Sequence, residues 1–261
     1  MDIKKLDLNW KVIENEGLKN LCDIDFKELK ELDLNYNNIS NIKILEKAKF
    51  NKLEKLFLNG NNISKNINQL GRLDFKELKE LDLSNNKIAD IQVLEKVKFK
   101  KLEKLVLNTN EIGNNINILD KVDFKELKCL ILYENNISDI KVLQKVNFEK
   151  LEILDLGWNK ITNINILGKV NFKQLKTLDL NYNIISDIKI LEKVNFEKLE
   201  KLYLNKNKIS NINILEKVNF KQLNELNLSD NNISDIKVLE KVKFEKLEKL
   251  YLKKNKIQNI I

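Results

Sequence analysis

The sequence has 261 residues, 43% of them hydrophobic, which is enough for a sizeable buried core. It contains no histidine and only two cysteines, so the commonest general base is missing and two thiolates cannot complete a zinc site without other soft ligands. The formal net charge of +8 at pH 7 raises the question of an anionic partner.

One pattern recurs from end to end: Leu-x-x-Leu-x-Leu-x-x-Asn-x-Ile-x-x-Ile-x-x-Leu-x-x-x-x-Phe. From unit 2 onward the units follow each other every 24 or 25 residues. Repetition at such a period is typical of a solenoid, in which each unit buries its apolar side only against its neighbours. We therefore predict that residues 1–261 form one elongated domain of ten full units and an eleventh that is cut short at Ile261. Units 1 to 11 begin at Ile3, Leu29, Leu53, Leu78, Leu102, Leu127, Leu151, Leu175, Leu199, Leu223 and Leu247.

The first part of each unit is predicted to be a short strand. In unit 6, Leu130 and Leu132 alternate with Ile131, which is the period-two pattern of a strand with one buried face. Because each unit brings the chain back to the same side, successive strands must run parallel. Asn135 and its equivalents lie where the chain leaves the strand, and their amides are expected to satisfy turn backbone groups of the neighbouring unit. Lys11 takes this place in unit 1, so we expect that end to fray first.

The second part of each unit is predicted to be a short return helix. In unit 6 it begins at the helix-capping residues Ser138 or Asp139 and continues through Ile140, Leu143 and Val146, for one or two turns. A phenylalanine near the end of each unit forms a column that we assign to the core. This column contains Phe26, Phe50, Phe75, Phe99, Phe124, Phe148, Phe172, Phe196, Phe220 and Phe244.

The repeated pattern resembles the leucine-rich repeat family over essentially the whole chain. It is most similar to the repeats of phosphatase-regulatory leucine-rich proteins and of bacterial internalins, although the units here are 24 or 25 residues long. The resemblance implies an α/β fold, a curved horseshoe with a parallel sheet of about eleven strands on its concave side and short helices on its convex side. It also implies a role in binding other proteins. In unit 6 the residues that carry it are Leu127, Leu130, Leu132, Asn135, Ile137, Ile140, Leu143, Val146 and Phe148.

Positions three, five, seven and eight of each unit are predicted to form the concave face. They carry eight lysines and ten acidic residues, which gives −2, so the basic excess lies on the back and flanks. That excess has two readings: a solvated surface that resists aggregation, or a phosphate-binding surface. At position three, lysine and glutamate alternate between units, as a ladder of favourable neighbours. Cys129, Ile153 and Thr177 interrupt this ladder, and Val106 and Ile131 lie beside the gap.

Aromatic residues point to the same place. Ten of the eighteen belong to the phenylalanine column, and the other eight occupy concave positions, where tryptophan and tyrosine are typical anchors for a protein partner. The alternative is that these rings only stiffen the sheet by stacking. The predicted partner-binding residues are Phe57, Val106, Cys129, Ile131, Tyr133, Ile153, Asp155, Trp158, Asp179, Tyr182 and Tyr203.

We therefore expect a non-catalytic module that binds a protein in its concave face, without cofactor, metal or membrane partner. An internalin-like adhesin or receptor ectodomain is the main alternative; nucleic-acid binding through the basic back and a ligand-free designed scaffold are less favoured. Cys22 and Cys129 lie more than four units apart, so no disulfide cap is expected. Together with the absence of an apolar leader, this predicts a cytoplasmic protein.

Overall fold

The computed structural model describes residues 2–258 as a stack of repeated units around one open, curved sheet. Met1 and residues 259–261, which include the predicted end of unit 11, lie outside the described residues. Eleven strands follow each other in sequence order, and every neighbouring pair is parallel and in register. The α/β solenoid predicted from the repeats is therefore confirmed. The strands are β1 Lys5–Asp7, β2 Glu31–Asp33, β3 Lys55–Phe57, β4 Glu80–Asp82, β5 Lys104–Val106, β6 Cys129–Ile131, β7 Ile153–Asp155, β8 Thr177–Asp179, β9 Lys201–Tyr203, β10 Glu225–Asn227 and β11 Lys249–Tyr251.

Short helices carry the chain back on the convex side. Unit 1 has an α-helix, α1 (Asn15–Cys22), which packs Leu18 and Leu21 into the core. Each later unit up to unit 10 has a 3₁₀ helix instead. None of the helices within residues 2–258 has the length and apolar character that a membrane crossing requires. The 3₁₀ helices are Ile42–Lys47, Ser64–Arg72, Gln92–Glu95, Gly113–Asp120, Lys141–Gln144, Asn165–Lys169, Lys189–Glu192, Asn213–Glu216 and Lys237–Glu240.

The spacing of apolar residues in the return helices is compatible with the 3₁₀ form, although Leu18 and Leu21 have the same spacing in α1. Ile140, Leu143 and Val146 are three residues apart, and a 3₁₀ helix places residues i and i+3 on one side. In unit 6 the Leu143 amide donates to the Ile140 carbonyl at 3.1 Å, an i→i+3 bond. The N-cap residue is Ile140 and not Ser138 or Asp139 as predicted, but Asp139 Oδ1 accepts from the Lys141 amide at 2.9 Å just before the helix.

The core is a set of parallel columns between the sheet and the return segments. Leucines at positions one, four and six, isoleucines at positions eleven and fourteen, and the phenylalanine column are almost fully buried through units 2 to 9. In units 3 and 5 the second isoleucine lies at position fifteen, as Ile67 and Ile116. Phe148 is 1% exposed, whereas Phe244, in the last complete unit, is half-buried. A unit inside the stack therefore covers its apolar side on two neighbours.

The asparagines at position nine join each unit to the one before it. Asn159 Nδ2 donates to the carbonyls of Leu132, Leu156 and Gly157 at 2.9–3.0 Å, so it bridges units 6 and 7. Its Oδ1 accepts from the amides of Asn135 and Ile137 at 3.1 and 2.9 Å. The predicted role of this column is confirmed.

The bonds of Asn37 bear on the fraying that is expected at Lys11. Asn37 Oδ1 accepts from the amides of Lys11 and Ile13, both at 3.0 Å, and its Nδ2 donates to the Leu8 carbonyl at 2.7 Å. Unit 2 therefore satisfies the turn of unit 1. Asn37 serves its own unit as well, where its Nδ2 donates to the Asn35 carbonyl at 3.0 Å. Lys11 gives unit 1 no such amide, so fraying at that end stays a prediction.

We predict that Phe148→Ala lowers the free energy of unfolding by about 3 to 5 kcal/mol, because it leaves a cavity in a closely packed column. Urea unfolding measures the loss. Phe244→Ala is the matched control and should cost clearly less, since Phe244 is already half-buried. An unchanged unfolding curve for Phe148→Ala would show that the column does not carry packing energy.

Asn159→Ala should destabilise the protein by about 1 to 3 kcal/mol, because buried carbonyls and amides of two units lose their partners. Hydrogen exchange should show the largest loss of protection at the amides of Asn135 and Ile137. Asn147→Ala, at an exposed position, should change neither quantity. Equal effects of the two substitutions would contradict this assignment.

Candidate functional site

The charge ladder at position three is present, and it stops where the sequence indicated. Glu31 Oε1 lies 2.7 Å from Lys5 Nζ, and Lys104 Nζ lies 2.6 Å from Glu80 Oε1. The next three strands place Cys129, Ile153 and Thr177 in this row, in direct register with Lys104 on one side and Lys201 on the other. The concave face therefore loses its lysines over three consecutive units.

Two further rows of charge, which the sequence analysis did not identify, extend into the gap, and one of them continues through it. At position two, Lys128 pairs with Glu103 and Lys176 with Glu152, each at 2.7 Å. At the residue before position one, Lys150 Nζ lies 2.5 Å from Glu126. The alternation of charge at position two is thus intact across units 6 to 8. The row before position one is interrupted in unit 8, where Gln174 accepts from Lys198 Nζ at 2.6 Å.

Aromatic rings stand beside this gap, and we call the following set the central patch. Trp158 is 43% exposed, and its ring stacks on Tyr182 with centroids 4.1 Å apart. Tyr133 packs against the other side of Trp158 at 6.0 Å. Ile153, 37% exposed, lies on β7 in the same unit as Trp158. The central patch consists of Ile131, Tyr133, Ile153, Asp155, Trp158, Asp179, Tyr182 and Tyr203.

The backbone does not favour aromatic residues at position eight. Every unit has a positive φ there, from 48° at Tyr182 to 67° at Gly60. Residues with a side chain adopt this left-handed conformation at a cost, and glycine or asparagine does so most readily. Trp158, at 50°, and Tyr182 therefore occupy places where local sterics favour smaller residues. Their presence calls for a reason outside the turn itself.

Two adjacent aspartates lie in the central patch without a counter-ion. Asp155 and Asp179 are in register on β7 and β8, and within residues 2–258 neither forms an ion pair with a lysine. Burial raises the pKa of both carboxyls and, with a smaller contribution from the Asp155 charge, brings that of Asp179 to about 7. Their hydrogen bonds come from the turn that follows each strand, from the amides of Gly157 at 2.9 Å and Asn181 at 2.8 Å.

Three of the predicted partner-binding residues are not part of the exposed central patch. Val106 and Cys129 are 8% and 9% exposed, so the expectation that they face a partner directly is wrong. They lie beneath their neighbours, and burial raises the pKa of the Cys129 thiol to about 11. Phe57 on β3 is half-buried between Asp33 and Asp82, three strands away from Ile131. The other eight predicted residues are brought together.

The structure adds residues that sequence reasoning missed. Lys206 Nζ lies 4.0 Å from the centroid of the Tyr182 ring and donates a hydrogen bond to the Tyr182 hydroxyl, which joins unit 9 to the stack. Gly157 lets the Tyr133 ring approach, because a Cβ there would lie 3.1 Å from Tyr133 Cδ2 and 2.6 Å from Asn181 Oδ1. A comparison of positions seven and eight between units would have found both, since Gly157 and Lys206 flank aromatic residues in those rows.

Comparisons with known proteins agree with the observed repeats. A family model described as "Leucine Rich repeats (2 copies)" matches residues 27–72, 76–121 and 173–217, which is more than half of the chain. A second, described as "Leucine Rich repeat", matches residues 149–164 and 222–236. No curated protein matches the chain significantly.

Several solved structures are similar to this chain. An internalin, InlF, of Listeria monocytogenes is 24% identical with a TM-score of 0.64, over 99% of this chain and 83% of that one. The leucine-rich repeat ectodomain of the receptor kinase GASSHO1 of Arabidopsis thaliana, solved in complex with CASPARIAN STRIP INTEGRITY FACTOR 2, is 23% identical with a TM-score of 0.63, over 96% and 31%. TLR13, solved in complex with ssRNA13, is 25% identical with a TM-score of 0.70, over 92% and 34%.

We predict that Asp179→Asn stabilises the protein at pH 8 by about 1 to 3 kcal/mol and has no effect near pH 4. The folded-state pKa of about 7 lies above the ordinary 3.8, so the native state loses stability as pH rises between these values and carries a constant penalty above pH 7. The substitution removes the penalty. Thermal unfolding across this pH range measures it.

Asp120→Asn removes the same charge from an exposed position and is the control. It should show no comparable dependence on pH. If both variants behave alike at pH 8, then burial of Asp179 does not destabilise its charged form.

Proposed function

Because the chain belongs to the leucine-rich repeat family, we propose that it is a non-catalytic module that binds a partner protein in its concave face. Proteins of this family generally serve as interaction modules rather than enzymes. The concave face supplies a long surface made of strand side chains that do not contribute to the core. Within the described residues, no group of His, Cys, Asp or Glu side chains has the size and arrangement to hold a metal ion.

The observation that carries the proposal is the central patch. Its rings are stacked, and Trp158 and Ile153 are exposed in the units where the lysines of position three are absent. Exposed tryptophan and tyrosine in a partly desolvated surface are the residue types that dominate binding energy at protein interfaces. Stacking alone accounts for the contact between the rings, but it does not account for the gap in the charge ladder.

An internalin-like adhesin or receptor ectodomain is the second candidate. Similarity in fold to InlF and to the GASSHO1 ectodomain supports it, and both candidates use the same surface. They differ in where the protein resides. A cytoplasmic location stays a prediction, and localisation of the tagged protein in cells of the source organism would test it.

Binding of nucleic acid through the convex side is the less favoured alternative. The TLR13 complex shows that a similar fold occurs with RNA in another protein. For this chain, a convex phosphate-binding surface predicts salt-dependent retention on heparin or DNA. If the partner instead binds in the concave face, retention on heparin or DNA should not depend on the central patch.

Trp158→Ala combined with Ile153→Lys should abolish capture of the partner in an affinity pull-down from the source organism, because both side chains lie on the surface. The fold should be retained, as circular dichroism would show. Lys193→Glu combined with Lys241→Glu changes two exposed convex residues and should leave capture nearly unchanged.

We call the protein with Trp158→Ala and Ile153→Lys the patch variant. If the folded patch variant still captures the partner, the proposal that the partner binds in the concave face is wrong. Loss on convex charge reversal would move the site to the other side. If the patch variant loses stability but not binding, then the rings serve only to stiffen the sheet.

A further inference from the structure

The two tryptophans of the chain occupy the same place in their units, six units apart. Each follows an Asp-Leu pair, as Asp-Leu-Asn-Trp at 7–10 and Asp-Leu-Gly-Trp at 155–158. In each case the next unit reads Asp-Leu-Asn-Tyr, at 33–36 and 179–182. The unit after that has an aromatic residue at position five, Phe57 or Tyr203. The first cluster is Asp7, Trp10, Asp33, Tyr36 and Phe57, and the second cluster is Asp155, Trp158, Asp179, Tyr182 and Tyr203.

The structure builds the two clusters in the same way. Asp7 pairs in register with Asp33, which pairs with Phe57. Asp155, Asp179 and Tyr203 have the same arrangement on β7, β8 and β9. The Trp10 and Tyr36 rings stack at 4.3 Å with an interplanar angle of 11°. In the second cluster the corresponding distance is 4.1 Å and the angle is 26°.

The repeat itself does not demand this constellation. At position eight the other seven units have small, polar or charged residues and no ring. The aromatic pairs therefore occur twice and only together with a pair of adjacent aspartates. Phe57, which lies outside the central patch, is the equivalent of Tyr203. In the seven units without a ring at position eight, the residues at that position are Gly60, Asn85, Thr109, Glu134, Lys206, Asp230 and Lys254.

A buried acceptor without a donor lies near each cluster, but at a different place in the two. Among the described residues, Asn59 Oδ1 and Asn181 Oδ1 are the buried side-chain polar atoms that have no hydrogen-bond partner. Asn59 belongs to unit 3, beside Phe57, and Asn181 belongs to unit 8, between Asp179 and Tyr182. An unpaired buried oxygen is costly, but these two belong to non-equivalent units of the clusters and are covered by the chain itself, so they are not part of the shared construction.

The groups of both clusters favour a cation. Carboxylates and amide oxygens accept hydrogen bonds, and the faces of tryptophan and tyrosine rings attract positive charge. Within the chain, the ammonium of Lys206 already contacts Tyr182, where it donates to the hydroxyl. In the first cluster the corresponding residue is Gly60, which has no side chain to place beside the Tyr36 ring.

Charge complementarity is strongest at the second cluster. Across units 6 to 8 the concave positions hold the acidic residues Glu134, Asp155 and Asp179 and no lysine. In the first cluster the Lys5 ammonium is 2.7 Å from Glu31, next to Asp7, and Trp10 is 68% exposed. The first cluster is therefore more open and partly neutralised.

We propose that the concave face has two binding sites of the same construction, the first and second clusters, and that each receives a basic side chain of one protein partner. This inference rests on the proposed function and adds the number of sites and the chemistry of the partner. Six strand spacings of about 4.8 Å place the sites about 29 Å apart along the sheet. The second cluster binds more tightly than the first, because its carboxylates have no lysine beside them.

Selection of short random peptides on phage against the full chain tests the proposal, with depletion against a variant carrying Trp10→Ala, Tyr36→Ala, Trp158→Ala and Tyr182→Ala. The selected peptides should be enriched in arginine or lysine. Isothermal titration should show two peptides per chain. Trp10→Ala alone or Trp158→Ala alone should reduce the number of bound peptides to one per chain. In the Trp158→Ala variant the remaining site is the weaker one.

Charge removal tests the chemistry separately. Asp155→Asn combined with Asp179→Asn should weaken the tighter site by roughly tenfold or more, since each loses a charge-assisted hydrogen bond. Asp120→Asn combined with Asp187→Asn removes the same charge from exposed convex positions and should have no effect. Thermal unfolding confirms that each variant is folded.

Linked peptides test the spacing. Two copies of a selected peptide joined by a Gly/Ser linker of about 25 residues should bind at least about tenfold more tightly than one copy, because such a linker spans the distance between the sites. A linker of about four residues reaches at most about 14 Å and should give no gain.

The outcomes separate this inference from the proposed function. One peptide per chain, lost with Trp158→Ala and unaffected by Trp10→Ala, overturns the two-site inference and leaves the concave proposal in place. Selected peptides without basic residues, or unaffected by the aspartate substitutions, overturn the cation chemistry. If no selected peptide requires the four aromatic rings for binding, and the patch variant still captures the partner in the pull-down, then both the two-site inference and the proposed function are wrong.

Discussion

The structure depends on one interaction, the bridging of each unit to the preceding one by the amide of a position-nine asparagine. A strand of three residues has too few ladder bonds to hold a turn by itself, and the turn that follows it would otherwise leave amides and carbonyls buried without partners. Asn135 and Asn159 satisfy these groups across the unit boundary, with both oxygen and nitrogen in use. The fold is thus a chain of nearest-neighbour contacts, and in-register stacking is its consequence.

In-register stacking fixes what the concave face can present. Equivalent side chains of adjacent units lie about 4.8 Å apart, so a row of like charges is unfavourable and an alternating row is favourable. The lysine and glutamate rows at positions two and three follow this rule, and Glu54, held between Lys30 and Lys79, has its pKa lowered to about 2 by these hydrogen bonds. Exposed pairs of this kind contribute little energy each, but together they exclude registers that would bring like charges together.

Asp155 and Asp179 depart from this rule, because they place like charges on adjacent strands. Two carboxylates on adjacent strands, partly buried and without a lysine, oppose folding at neutral pH, and the neighbouring rings occupy backbone positions that favour smaller residues. Such costs are expected at binding sites, where a partner supplies the missing charge and covers the rings. The same reasoning applies to Asp7 and Asp33 beside Trp10 and Tyr36, in a more exposed setting.

The repeat pattern was sufficient to predict the solenoid, its parallel strands, the phenylalanine column and the asparagine bridges, because each depends on spacing within a unit and on contact with the next. It also located the gap at Cys129, Ile153 and Thr177, since columns can be read by aligning units. Burial within the concave face could not be predicted in this way. Val106 and Cys129 share their columns with exposed residues, and only the packing of neighbouring side chains covers them.

The stacking of Trp158 on Tyr182, the approach of Lys206 and the unpaired oxygens of Asn59 and Asn181 likewise follow from the positions of side chains on different units. The correspondence between the first and second clusters, six units apart, was present in the sequence. Only the sheet shows that their equivalent residues are arranged in the same way. The period of the repeat dictates which residues share a row. Ring orientation, desolvation and hydrogen-bond supply depend on all the atoms around a site, and these come together only when the units are stacked.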